Sequence, residues 1–114
     1  MILNHLNLTV TDPIAASQFL AKYFGLRAGG GNGGMQLLHD DNGMVLTMFK
    51  GRADQVKYPP TFHVGFMQQS EQHVNDINAR LRADGFEVPA PAWMHGSWTF
   101  YFTAPGGFMV EVGA

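Results

Sequence analysis

Apolar and polar residues alternate along ILNHLNLTV (2–10), with Leu6, Leu8 and Val10 on one face and His5, Asn7 and Thr9 on the other. A period of two predicts a strand with one dry and one wet face. The period changes at Asp12-Pro13. Asp is a favoured N-cap and Pro suits the first helical position. Ala16, Phe19, Leu20 and Tyr23 then recur at helical spacing, and Gly25 is a C-terminal stop. AGGGNGG (28–34) predicts a loop. MQLLHD (35–40) and MVLTMFK (44–50) predict two strands joined by a turn at Asp41-Asn42-Gly43. GRADQVKYPP (51–60) reads as a linker, because its two prolines cannot serve a central strand.

The pattern then starts again. TFHVGFM (61–67) predicts a strand, Ser70 an N-cap, and Val74, Ile77 and Leu81 the buried stripe of a helix ending at Gly85. GFEV begins a short strand, and Pro89 to Gly96 is a loop. SWTFYFT (97–103) and FMVEV (108–112) are strands around a turn at Pro105-Gly106-Gly107. His5 corresponds to His63, Gly25 to Gly85 and Gly43 to Gly107, with a separation that grows slowly, as loop insertions in a duplicated unit would give. The reading is an α+β fold in one domain of two βαβββ modules, 1–50 and 61–114, joined by 51–60.

At 114 residues the chain is long enough for a real core, and its apolar share of 46% and charged share of 14% fit a globular protein. A net charge of −2, with seven scattered Lys and Arg, gives no electrostatic reason to expect nucleic acid or an anionic membrane. No apolar run approaches the ~20 residues of a membrane span. The N-terminus has no basic leader region, which predicts no signal peptide. The absence of cysteine removes disulfides, thiolate metal sites and a cysteine nucleophile, and suits a cytoplasmic location. Any metal must therefore be held by His, Asp or Glu.

Alternation decides which side chains share a face. Phe62, Val64 and Phe66 suit a core, and His63 and Gly65 point the other way. Phe108, Val110 and Val112 form the dry set of the last strand, opposite Met109 and Glu111. His5, His63 and Glu111 each sit on the non-core face of a strand. Two imidazoles and a carboxylate suit divalent Zn, Ni, Mn or Fe, and three protein ligands leave positions open for substrate. Singly, a strand histidine is ordinarily tied up by structural hydrogen bonds and a strand glutamate is ordinarily solvated. The equivalent placement of the two histidines in a repeat favours a shared site. Thr99, Tyr101 and Thr103 alternate with Trp98, Phe100 and Phe102, the second set being the core set. Tyr101 is a candidate hydrogen-bond donor to substrate, and Asn7 and Thr9 share the face of His5. His95, on the loop, is a candidate acid/base, and Trp93 either covers a substrate or packs. His39 and His73 read as surface residues. AGGGNGG lacks the lysine and the strand-to-helix context of a phosphate loop. The seven methionines read as core fillers.

LNHLNLTVTDPIAASQFLAKYFGL, TFHVGF and SWTFYFTAPGGFMVEV resemble the vicinal oxygen chelate superfamily, which includes glyoxalase I, the fosfomycin-resistance transferases, extradiol dioxygenases and bleomycin-binding proteins. The resemblance covers nearly the whole chain. It implies two βαβββ modules forming U-shaped, eight-stranded mixed-sheet clefts. It also implies a divalent metal on His5, His63 and Glu111, and a small-molecule ligand that chelates the metal through vicinal oxygens. Many members are homodimers with sites shared between chains, so His5 of one chain would meet His63 and Glu111 of another. Glu111 would be both ligand and candidate base.

This chain departs from individual members. The resemblance places Thr47 where glyoxalase I has its fourth ligand, a glutamate, and threonine cannot replace it; the expectation is an enzyme other than standard glyoxalase I. The phosphonate-binding cations of the fosfomycin enzymes have no counterpart, although Tyr101 matches their substrate-facing tyrosine. The leading expectation is a glyoxalase-like, metal-dependent lyase, isomerase or transferase. The alternative is a non-catalytic, bleomycin-resistance type of module that sequesters a small molecule.

Overall fold

The computed structural model describes residues 1–114 and has the order β-α-β-β-β twice over. The α+β class and the doubled module order agree with the expectation from spacing. The chain forms two compact units, residues 1–59 with 104–107, and residues 60–103 with 108–114.

In the first unit, β1 (His5–Val10) leads into α1 (Pro13–Phe24), followed by β2 (Arg27–Asn32), β3 (Met35–His39) and β4 (Val45–Lys50). The sheet order is β1-β4-β3-β2, with β1 parallel to β4 and the other pairs antiparallel. The helix starts where the sequence signals it: Asp12 accepts a hydrogen bond from the Ala15 N–H, and Pro13 follows as the first helical residue. It stops at Gly25, whose φ of +69° is left-handed and whose N–H reaches the Ala21 carbonyl. Leu8, Val10, Phe19, Leu20, Tyr23, Leu38, Leu46 and Met48 are buried between helix and sheet. A side chain of that size stabilises the fold by about 1.5–3 kcal/mol when fully buried. β1 begins at His5, and Ile2 and Leu3, read as part of it, are exposed ahead of it.

The glycine-rich segment is not the loop its composition suggests. Arg27–Asn32 is an edge strand against β3, with a register shift between Ala28 and Gly30. All six residues are exposed, so no apolar period marks the strand. Its glycines serve backbone geometry: a Cβ on Gly31 would lie 2.2 Å from the Met35 carbonyl oxygen. Asn32 closes the hairpin by accepting from the Gly34 and Met35 N–H groups. Residues 51–59 fold back onto β1, where the Gly51 N–H bonds the Val10 carbonyl and the Tyr58 hydroxyl donates to the Thr9 carbonyl.

In the second unit, β5 (Val64–Met67) precedes α2 (Glu71–Ala83), and β6 (Ala92–Met94), β7 (Ser97–Thr103) and β8 (Met109–Gly113) follow. The order β5-β8-β7-β6 repeats that of the first sheet, with β5 parallel to β8. Ser70 caps α2 through the His73 N–H. Val74, Leu81, Phe100, Phe108, Val110 and Val112 are completely buried. Trp98 is only half-buried, and its indole N–H donates to Asn75 of α2.

Three expectations for this half are corrected. β5 is shorter than 61–67, so His63 immediately precedes the strand. No strand starts at Gly85; residues 86–91 are irregular and are held from the helix side. Asn78 donates to the Pro89 carbonyl at 2.8 Å and Arg82 to the Val88 carbonyl at 3.1 Å. Pro89 and Pro91 cannot donate to a ladder, so side chains take over the carbonyls. The strand forms instead at 92–94, inside the segment read as a loop. It pairs with β7 through a turn at His95 and Gly96, whose φ angles of +53° and +79° suit a tight hairpin. No helix is long and apolar enough to cross a membrane.

Candidate functional site

The second sheet places a titratable cluster on the face turned away from α2. Val110 and Val112 are fully buried, so alternation turns Glu111 to the opposite face. Its carboxylate Oε2 stands 3.1 Å from His63 Nε2, with side-chain exposures of 27% for Glu111 and 40% for His63. The pair is thus partly shielded and still reachable by a small molecule. His63 Nδ1 faces the Thr61 carbonyl at 3.0 Å. A carbonyl only accepts, so the Nδ1 N–H donates to it; Nε2 then faces the carboxylate either as a second N–H donor or, with an ion held between them, through its lone pair.

Two further residues of β7 complete the cluster. Tyr101 lies directly across from Glu111, and its ring meets that of His63 edge-on at 5.5 Å. Burial raises the Tyr101 pKa above its ordinary value, and the hydrogen bond and negative charge of Glu111 push the same way. The phenol therefore stays protonated and donating beside the carboxylate. Thr99 is completely buried; its hydroxyl lies 2.7 Å from the Val112 carbonyl and 3.4 Å from Glu111 Oε1. Sequence reasoning placed Thr99 on this face without assigning it a role. The available signal was its position two residues before Tyr101 in a hairpin whose far strand carries Glu111.

His63 Nε2 and Glu111 Oε2 fit a divalent metal. Two donors each ~2.0–2.2 Å from one ion and about a right angle apart stand ~3 Å from each other, close to the separation here. A metal-binding histidine also ordinarily donates its other N–H to a carbonyl, as His63 does to Thr61.

The remaining candidates fall elsewhere. His5 opens β1, is exposed, and has Nδ1 2.8 Å from Asn4 Oδ1. Asn7 and Thr47 face each other across the parallel β1–β4 pair, and the Thr47 hydroxyl donates to Asn7 Oδ1 at 2.8 Å. Thr9 is half-buried, its methyl set against Gly51 and its carbonyl holding Tyr58. Trp93 pairs with Trp98 across β6–β7, their rings 5.6 Å apart. Because Trp98 bonds α2, these rings occupy the helix side of the sheet, opposite Glu111. His95 is exposed in the β6–β7 turn and is the one non-glycine residue with positive φ. The chain therefore brings His63, Glu111, Tyr101 and Thr99 into one cluster, and Asn7 and Thr47 into another. No group of three His, Asp or Glu side chains poised for a metal forms within it.

Comparison with known proteins matches residues 2–112 to the model of the Glyoxalase/Bleomycin resistance protein/Dioxygenase superfamily. Among solved structures, a Bacillus cereus protein described as a possible glyoxalase is 50% identical over 100% of this chain and 99% of its own, with a TM-score of 0.92. A lactoylglutathione lyase from Agrobacterium tumefaciens is 22% identical over 98% of this chain and 92% of its own, with a TM-score of 0.75. The oxidase ChaP-H2 is 24% identical over 100% and 93%, with a TM-score of 0.76. The last two share the fold. No functionally curated protein matches the chain.

Proposed function

Starting from the fact that the chain belongs to the glyoxalase/bleomycin resistance protein/dioxygenase superfamily, we propose that it is a glyoxalase-like enzyme dependent on a divalent metal. Its substrate is a small molecule that binds through two adjacent oxygens. The observation that carries this reading is the His63–Glu111 pair: an imidazole with its Nδ1 proton committed to a carbonyl, 3.1 Å from a strand carboxylate. The 50% identical Bacillus cereus protein, described as a possible glyoxalase, supports the same class.

In this reading His63 and Glu111 hold the ion, whether Zn, Ni, Mn or Fe, and His5 of a second chain in a homodimer supplies the third protein ligand. The metal supplies Lewis-acid stabilisation of negative charge developing on substrate oxygen, worth several kcal/mol. The chain's own groups do the rest. Tyr101, directly across the strand pair from Glu111, is placed to donate a hydrogen bond to a substrate oxygen. Glu111 is the one carboxylate of the cluster, and it would accept a proton from substrate only when it is not holding the ion. The Thr99 hydroxyl stands 3.4 Å from the Oε1 side of that carboxylate and reaches it by turning from the Val112 carbonyl. Thr47 is occupied with Asn7, which fits an activity other than that of standard glyoxalase I.

The test is elemental analysis after brief metal exposure, with His63→Ala in parallel. The expected result is about one metal per chain in the wild type and loss in the variant, with metal-dependent turnover lost alongside. Turnover that persists without metal would refute the mechanism. Absence of metal from both proteins would shift the assignment to the sequestering, bleomycin-resistance type of function.

A further inference from the structure

β5 carries a glycine where the chain itself needs none. Glycine weakens a strand, because it adds backbone entropy to the unfolded state and no packing to the folded one. Three strand glycines have φ outside the left-handed region: Gly29, Gly65 and Gly113. Packing explains two of them. A Cβ on Gly29 would lie 2.6 Å from His39 Nε2, and one on Gly113 would lie 3.2 Å from Thr99 Oγ1. At Gly65 the nearest atom to an added Cβ is Glu111 Oε2 at 3.7 Å, an ordinary contact, with nothing else within 4 Å.

The repeat supplies an internal control. Gly65 lies two residues after His63 and directly across the parallel pair from Glu111. Asn7 lies two residues after His5 and directly across the equivalent pair from Thr47. In the first unit that position holds a full side chain, which reaches Thr47 at 2.8 Å. The same backbone arrangement therefore accepts a side chain, and in the second unit the space is left open. The gap borders Oε2, the carboxylate oxygen that faces His63.

We propose that Gly65 is a specificity-determining position, whose missing side chain is the clearance through which a compact ligand with two adjacent oxygens reaches the His63–Glu111 pair. The inference rests on the metal reading above. Its test uses Gly65→Ala and Gly65→Val, with Mn2+ alone and then oxalate on the Mn2+-loaded protein, both by calorimetric titration. Both variants are expected to melt at or a few degrees above the wild type, since a strand glycine has been replaced. Mn2+ affinity is expected to stay within about threefold of wild type, while oxalate affinity falls about tenfold or more in Gly65→Val and less in Gly65→Ala.

Unchanged oxalate affinity in Gly65→Val overturns the inference while leaving the metal reading intact. So does a drop of several degrees in melting temperature, which would mean the fold itself requires the glycine. Loss of Mn2+ affinity in step with oxalate overturns it too, by assigning Gly65 to the metal ligands rather than to the ligand path. A wild type that takes no metal overturns the metal reading and this inference with it; a Mn2+-loaded wild type that takes no oxalate overturns this inference and leaves metal binding standing.

Discussion

Thr99→Val keeps the branched shape of a fully buried side chain and removes one hydroxyl. That hydroxyl has one proton and two acceptors, the Val112 carbonyl at 2.7 Å and Glu111 Oε1 at 3.4 Å. The nearer acceptor takes the proton, and rotation about the C–O bond brings the carboxylate within reach. Leaving a buried carbonyl short of a donor costs about 1–3 kcal/mol. The added methyl returns about 0.8 kcal/mol by apolar burial. The expected net loss is about 1 kcal/mol, which lowers the melting temperature by about 4 °C in a chain of this size. If Glu111 holds a metal as proposed, removing its orienting partner weakens metal binding about 10–100-fold, and the long 3.4 Å contact places Thr99 near the lower figure. Thr99→Ser separates the two effects: it loses a buried methyl and similar stability, yet keeps the hydroxyl. Scanning calorimetry gives the stability, and competition with a chromogenic chelator for Zn2+ gives the affinity. Equal affinity in Thr99→Val and wild type would refute the orienting role. Equal weakness in Val and Ser would assign the effect to the methyl.

Three further outcomes follow from local geometry. Gly106→Ala should cost about 2–4 kcal/mol, because φ is +107° and the new Cβ would sit 3.2 Å from the Val10 and Ala16 side chains; an unchanged urea midpoint would contradict this. Asn78→Ala should cost about 1–2 kcal/mol and speed proteolysis within 85–91, since Asn78 holds the Pro89 carbonyl from the helix; unaltered cleavage there would argue against the tether. Burial raises the Tyr58 pKa, so its stabilising contribution is fully present below pH ~10 and is lost as pH rises through the higher folded-state value. Tyr58→Phe should therefore flatten the alkaline fall in melting temperature, and an identical alkaline slope would count against it.

Which elements were legible depends on what marks them. α1 and α2 were readable because caps and a helical period coincide: Asp12 and Pro13 before Ala16 and Phe19, and Ser70 before Val74 and Ile77. β2 was not, because a fully exposed glycine edge strand has no apolar side to alternate, and only backbone pairing with β3 defines it. β6 escaped for a related reason: it is three residues long, and its order comes from the partner strand and the His95–Gly96 turn. The linker's prolines correctly excluded a strand. Nothing in their pattern revealed that Tyr58 would donate to β1.

The site divides along the same physical line. Alternation tells which face a residue takes, but contact needs register, and the two kinds of strand pair differ in how register is set. β7 and β8 join through a short turn, so counting outward from Thr103 opposite Met109 places Tyr101 opposite Glu111. That neighbour is within reach of sequence alone once the turn at Pro105–Gly107 is located. β5 and β8 are parallel and separated by a helix and two strands, so no turn fixes their offset. The contact between His63 and Glu111, and the open position at Gly65, depend on that parallel register and on nothing local. Duplication gives partial access: once His5 and His63 are equated, Asn7 maps to Gly65 and Thr47 to Glu111, and the structure places each pair directly across a parallel ladder. The two units thus carry the same scaffold with opposite contents. Where the first closes the position with an Asn7–Thr47 hydrogen bond, the second leaves a gap beside a carboxylate and an imidazole. That difference places the carboxylate–imidazole pair in the second unit and an uncharged hydrogen-bonded pair at the matching position of the first.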